Sequence, residues 1–132
     1  MAAKKTQRRL TPLEALIMDR VWEDHPVTVR NVREALHSRR PMAYNTVLTM
    51  MRILRDKGFL ASERQGRMDL YRPLVAREQM AKRSLNELLH GFFAGSAQAL
   101  VSQLLESEEL DPGEIEAIRR DVDRKLNGTN GK

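Results

Sequence analysis

Apolar residues recur at helical spacing along most of this chain, interrupted once by a shorter period. Leu13, Leu16, Ile17 and Val21 form a stripe flanked by Met18 and Trp22. In front of it, Thr11-Pro12-Leu13-Glu14 supplies a capping hydroxyl, a proline at the first helical position and a reciprocal glutamate. A first helix is therefore predicted, ending at His25-Pro26. A second, capped by Thr28, carries Val32, Ala35 and Leu36 and runs to about His37. A third lies within Met42–Leu60, where Val47, Met50, Met51 and Leu54 share one face and Gly58 marks the stop. The pattern then changes. Phe59–Glu63 and Met68–Pro73 read as strands joined by Arg64-Gln65-Gly66-Arg67, a hairpin with glycine at its tip.

Beyond Ala76 the helical period returns. Leu85, Leu88, Leu89 and Phe92 make one stripe, with a break at Gly91 and Gly95; Ala97, Leu100, Val101, Leu104 and Leu105 make the next. Asp111-Pro112-Gly113-Glu114 repeats the capping arrangement before Ile115, Ile118, Val122 and Leu126. The resulting fold class is mainly α with one small β-hairpin. Three short helices and a hairpin make an N-terminal winged helix-turn-helix over residues 10–75, and residues 76–127 make a C-terminal helical module. Residues 1–9 read as a disordered basic arm and 128–132 as a disordered tail. About fifty residues of rear helix are too few to bury three apolar stripes alone. They either pair with a second copy or fold back on the winged domain. Pairing is the expectation, with Leu88, Phe92, Leu100, Val101, Leu104, Leu105, Ile115, Ile118 and Val122 as the homodimer contacts.

The outer face of the third helix gives the front half a function. Asn45, Thr49, Arg52 and Asp56 lie opposite the core stripe: short hydrogen-bonding groups and one arginine, without the Glu/Lys ladder of a solvated helix. Such a face suits the edges of bases in a major groove. Charge supports this reading. Residues 1–75 carry 15 Lys/Arg against 8 Asp/Glu, whereas residues 76–132 carry 8 against 10. Arg64 and Arg67 flank the hairpin tip, placed to reach phosphate or the adjacent minor groove, and Arg39 and Arg40, in the turn before the third helix, are further expected DNA contacts. Arg30 and Arg33 stand near the positive end of the second helix, where an anion (phosphate, Glu34 or water) would offset the unfavourable charge.

Other chemistries find no footing. The chain has no cysteine, so no disulfide framework, thiolate metal site or cysteine nucleophile exists. His25, His37 and His90 lack metal-ligand spacing, and no phosphate loop or nucleophile elbow occurs. No enzyme, cofactor or metal is expected. No run reaches the ~18 apolar residues of a membrane span, and the basic N-terminus leads into no signal-like segment, so a soluble cytoplasmic protein is the expectation. An adaptor that uses the same polar face to bind an acidic protein is the alternative.

Leu10–Glu23 (L-T-P-L-E with V-W-E), Tyr44–Leu60 (Y-N-T-V-L-T-M-M-R-I-L with K-G-F-L) and Tyr71–Pro73 (Y-R-P) together resemble the penicillinase-repressor family, the BlaI/MecI-type and CopY-type regulators. The similarity covers about residues 10–126. It implies a winged-helix domain, a dimerising rear module and repression of transcription from a dyad-symmetric DNA operator. By position it adds Thr46 to Thr49 as a base-contacting residue, and makes Tyr71 the aromatic that ends the wing. Leu48 and Ile53 stand where the best-known members have arginines, so Arg52 takes over part of that role. The resemblance also implies relief by a sensor protease that cuts an Asn-Phe bond in the rear module. The corresponding pair here is Gln103-Leu104, which departs from that pattern and sits on an apolar stripe. The copper-responsive branch senses through a cysteine cluster that this chain lacks.

Overall fold

The computed structural model describes residues 9–130. Of the expected basic arm only Arg9 falls among them, and Gly131 and Lys132 also lie outside. The chain divides into two units, the first running to Ser84 and the second beginning at Leu85.

In the first unit α1 (Pro12–Asp24), α2 (Val29–Leu36) and α3 (Tyr44–Asp56) precede an antiparallel hairpin of β1 (Leu60–Gln65) and β2 (Met68–Pro73). Thr11 caps α1 as predicted, its hydroxyl accepting the Glu14 amide at 3.1 Å while Glu14 Oε1 accepts the Thr11 amide at 2.9 Å. The buried face is rotated by one position from the expected stripe. Met18 is fully buried and Leu13 only half-buried, because Glu14 turns inward and occupies the first core position. A buried carboxylate must be paired, and Lys57, at the end of α3, donates to both of its oxygens at 3.0 Å.

Thr28 caps α2 with Asn31 in the reciprocal role usually taken by glutamate. The two arginines near its start have partners within the protein. Arg30 pairs with Glu34 at 3.3 Å, and Arg33 donates to the Met42 carbonyl at 2.9 Å. Of the alternatives open in the sequence, Glu34 is the anion that offsets Arg30.

Helix α3 buries Val47, Met51 and Leu54, while Met50 is half-buried at the margin. It closes in a Schellman motif: Phe59 donates to Leu54 at 2.9 Å and Gly58 to Arg55 at 3.0 Å, with Gly58 at φ 90°. The hairpin leaves two residues, Gly66 and Arg67, between the paired Gln65 and Met68. Gly66 holds φ 63°, the left-handed first position that a type II′ turn demands. A bridge from a third segment was invisible in the sequence: Val27 exchanges both backbone hydrogen bonds with Tyr71, at 3.0 and 2.7 Å. This bridge stitches the segment between α1 and α2 to β2 and fixes the hairpin against the helices.

Helix α4 (Arg77–Phe92) begins in the first unit. Its first turn is tied to α1: Trp22 donates to the Val75 carbonyl at 2.9 Å, and Arg77 pairs with Asp19 at 2.6 Å while lying over the Trp22 ring. Met80 is buried in the same core. Trp22 is thus half-buried core rather than a surface platform.

The second unit contains the rest of α4 with α5 (Ala97–Glu106) and α6 (Pro112–Asn130). Gly91 is helical, contrary to the expected break there; the chain turns at Ala94 and Gly95, with φ 50° and 81°. Helix α6 continues to Asn130, past the residue where a disordered tail was expected to begin. Among the described residues no single helix is long and apolar enough to cross a membrane.

Candidate nucleic-acid interface

Two surfaces of the first unit meet along α3. On one, Asn45, Thr46, Thr49 and Met50 line a shallow depression, with the first three exposed. They lie at spacings of one, three and four residues, which brings their short polar groups side by side. The capping of α3 leaves this end unobstructed, since Ala43 offers no side-chain cap.

On the other, a cleft of about 340 Å³ separates α3 from the hairpin and the start of α2. Arg52 and Leu48 reach it from α3, Arg64, Arg67 and Asp69 from the hairpin, and Arg30 from α2. The two-residue turn is what brings Arg64 and Arg67 to the same side as Arg52. Arg64 is folded back along the hairpin, donating to the Gly66 carbonyl at 3.2 Å and to Asp69 at 3.4 Å. Arg67 forms no ion pair among the described residues and its exposed side chain offers five N–H donors and a charge. Arg39 and Arg40 are exposed in the turn after α2, held by their backbone amides on the Leu36 carbonyl at 3.0 and 2.7 Å. They line neither the depression nor the cleft.

Tyr71 closes the base of the hairpin and is fully buried. Its hydroxyl makes no hydrogen bond of good geometry among the described residues, although the Arg52 guanidinium lies near enough to favour the phenolate. Burial raises its pKa above the ordinary 10.0, Asp69 adds to the rise, and the positive charges of Arg55 and Arg52 oppose it. Leu48 packs against the core from the cleft wall and Ile53 is 40% exposed on the flank of α3.

Sequence reasoning singled out Arg30 as a cation in need of an anion, and the orientation of α2 brings it to this cleft. It missed two members of the surface: Asp69, which joins through the pairing of the hairpin, and Tyr44, 47% exposed in the first turn of α3. Tyr44 carried a readable signal, an aromatic at the start of a polar helix face; Asp69 depends on tertiary placement.

In the second unit none of the described side chains is buried. Phe92 is 83% exposed, and Leu88, Val101, Leu104, Leu105, Ile115 and Val122 are all exposed. Leu100 and Ile118 are half-buried. Gln103 and Leu104 lie inside α5, exposed on the single chain.

Three helices, a hairpin with cationic tip and a polar outer face on the third helix define a winged-helix DNA-binding protein. A sequence model of the penicillinase repressor family matches residues 10–124, and the chain belongs to that family, whose members are transcriptional repressors and not enzymes. The transcriptional regulator BlaI of Mycobacterium tuberculosis is 36% identical over 114 residues, spanning 85% of this chain and 81% of that protein. The penicillinase repressor of Bacillus licheniformis is 22% identical over 119 residues, spanning 90% and 93%. The solution structure of the DNA-binding domain of the repressor BlaI superposes with a TM-score of 0.51 at 23% identity, over 55% of this chain and 89% of that one. That likeness establishes the fold, a winged helix with a two-stranded wing.

Proposed function

We propose that this protein represses transcription as a homodimer on a dyad-symmetric operator, each copy placing α3 in the major groove and its wing on the adjacent backbone. The observation that carries the proposal is the joining of two surfaces on α3. An uncharged polar depression (Asn45, Thr46, Thr49) suits base edges, and an arginine-lined cleft (Arg52, Arg64, Arg67) suits the neighbouring phosphates. Arg39 and Arg40 reach phosphate on the other flank.

Dimerisation is supported by the second unit. Helical segments that bury no described side chain from Leu85 onward cannot stand as a monomeric core, since the hydrophobic effect leaves about 25 cal/mol for every Å² of apolar surface still wet. A second copy carries the matching stripes. Two linked heads also make the second half-site contact intramolecular, which raises affinity without new contacts. Relief by a sensor protease at Gln103-Leu104 would act through this interface: a cut inside α5 severs the stripe that contains Leu100, Leu104 and Leu105.

The test is a titration of duplex DNA with the intact chain at two salt concentrations. A dimer making six to ten phosphate contacts loses roughly 10³–10⁵ in affinity between about 50 and 200 mM salt. Salt-insensitive binding, or binding of an acidic protein in preference to DNA, would favour the adaptor reading instead.

A further inference from the structure

The cleft between α3 and the hairpin contains a group that polyanion binding does not require. Among its described lining residues Arg30, Arg52, Arg64 and Arg67 are cationic, and Asp69 alone is acidic. Its side chain is only 23% exposed and holds Arg64 Nη1 at 3.4 Å. Arg64 is further secured by its Nε on the Gly66 carbonyl. Two acceptors on the same hairpin thus fix the direction of one of the wing's two tip arginines, although its side chain stays 66% exposed. A carboxylate here also repels any phosphate that enters the cleft. Both effects reduce affinity for DNA as such, so Asp69 has to be explained by something other than tight binding.

Specificity is a difference of affinities, and weakening the wrong complexes is as effective as strengthening the right one. Sequence-independent binding draws essentially all its strength from cations free to meet phosphate in many registers. The matched complex draws on base contacts by α3 and admits one register, in which the wing is already placed. We propose that Asp69 is a specificity-determining residue: by holding Arg64 on the wing and opposing phosphate in the cleft, it suppresses sequence-independent binding. The proposal rests on the reading of α3 and the wing as a DNA interface.

Asp69→Asn retains the shape and removes the charge. The probes are a duplex selected by the unmodified protein from a random pool and a scrambled duplex of the same composition. With Arg64 released, one further phosphate contact steepens the log–log salt slope on scrambled DNA by about 0.9, equivalent to ~3.5-fold between about 50 and 200 mM salt. Scrambled-duplex affinity should rise by more than the selected-duplex affinity, so the ratio between them falls. In an Arg64→Ala background the same substitution should have a much smaller effect. A structural role for Asp69 would lower both affinities instead. Should the unmodified protein select a sequence while Asp69→Asn leaves scrambled-duplex affinity and slope unchanged, or lowers both affinities, the role of Asp69 is overturned. Should the unmodified protein select no sequence, the DNA-interface reading itself fails.

Discussion

The buried pair between Glu14 and Lys57 makes an asymmetric prediction. Glu14 keeps 5% of its side-chain surface in water and Lys57 keeps 33%. Removing the lysine, as Lys57→Met, strands a carboxylate whose only other described partner is the Thr11 amide. Breaking a buried pair in this way costs about 3–5 kcal/mol. Removing the glutamate charge, as Glu14→Gln, is milder. The amide oxygen can still accept from Thr11, and a lysine one-third exposed recovers much of its hydration. The loss is then one charged hydrogen-bond set, about 1.5–3 kcal/mol. Urea unfolding followed by the fluorescence of Trp22, the single tryptophan, reports on the unit that contains the pair. Lys57→Met should lower stability by about 1–2 kcal/mol more than Glu14→Gln, several degrees in Tm for a domain of this size. The double variant should be less damaged than the sum of the two. Equal costs, or strict additivity, would refute the view that this pair is what allows Glu14 to occupy a core position.

Other substitutions probe the remaining surfaces. Arg52→Ala should cost about 1–3 kcal/mol of discrimination between bases, read by competition with altered duplexes. Arg67→Ala should weaken all duplexes alike and reduce the salt slope by about 0.9. Leu105→Asp, placing a charge on an exposed apolar stripe of α5, should give monomers in sedimentation with an intact winged domain. Tyr71→Phe removes a buried hydroxyl that makes no hydrogen bond of good geometry and should change stability at pH 7 by less than about 1 kcal/mol. Because burial raises the Tyr71 pKa, the folded state holds its proton more tightly than the unfolded chain. The associated stability is complete below pH 10 and falls as pH rises through the folded-state value, so Tyr71→Phe should flatten that alkaline loss.

Much of the first unit was readable because its signals are local. The Thr11-Pro12-Leu13-Glu14 box, the Gly58 stop and the Gly66 turn each encode a backbone requirement within a few residues. What escaped depends on residues far apart. Nothing around Val27 announces a strand, since a single rung on Tyr71 has no alternation to display. The inward turn of Glu14 follows from Lys57, forty-three residues later, and it shifts the buried face of α1 by one position. Arg52, Arg64 and Arg67 were recognisable as cations for phosphate, but the carboxylate set among them becomes meaningful only once the hairpin is paired. In the rear module the periodicity located the helices. A Gly-rich stretch at the end of α6 did not stop it, because glycine lowers helix propensity by about 1 kcal/mol without forbidding the conformation.

Two copies of α3 reading a dyad should leave their mark on duplexes that the intact chain selects from a random pool. An inverted repeat should be enriched, its half-sites spaced by about one helical turn or a multiple of it. A pool that emerges unenriched, or enriched only in a single unrepeated half-site, would contradict the dyad reading.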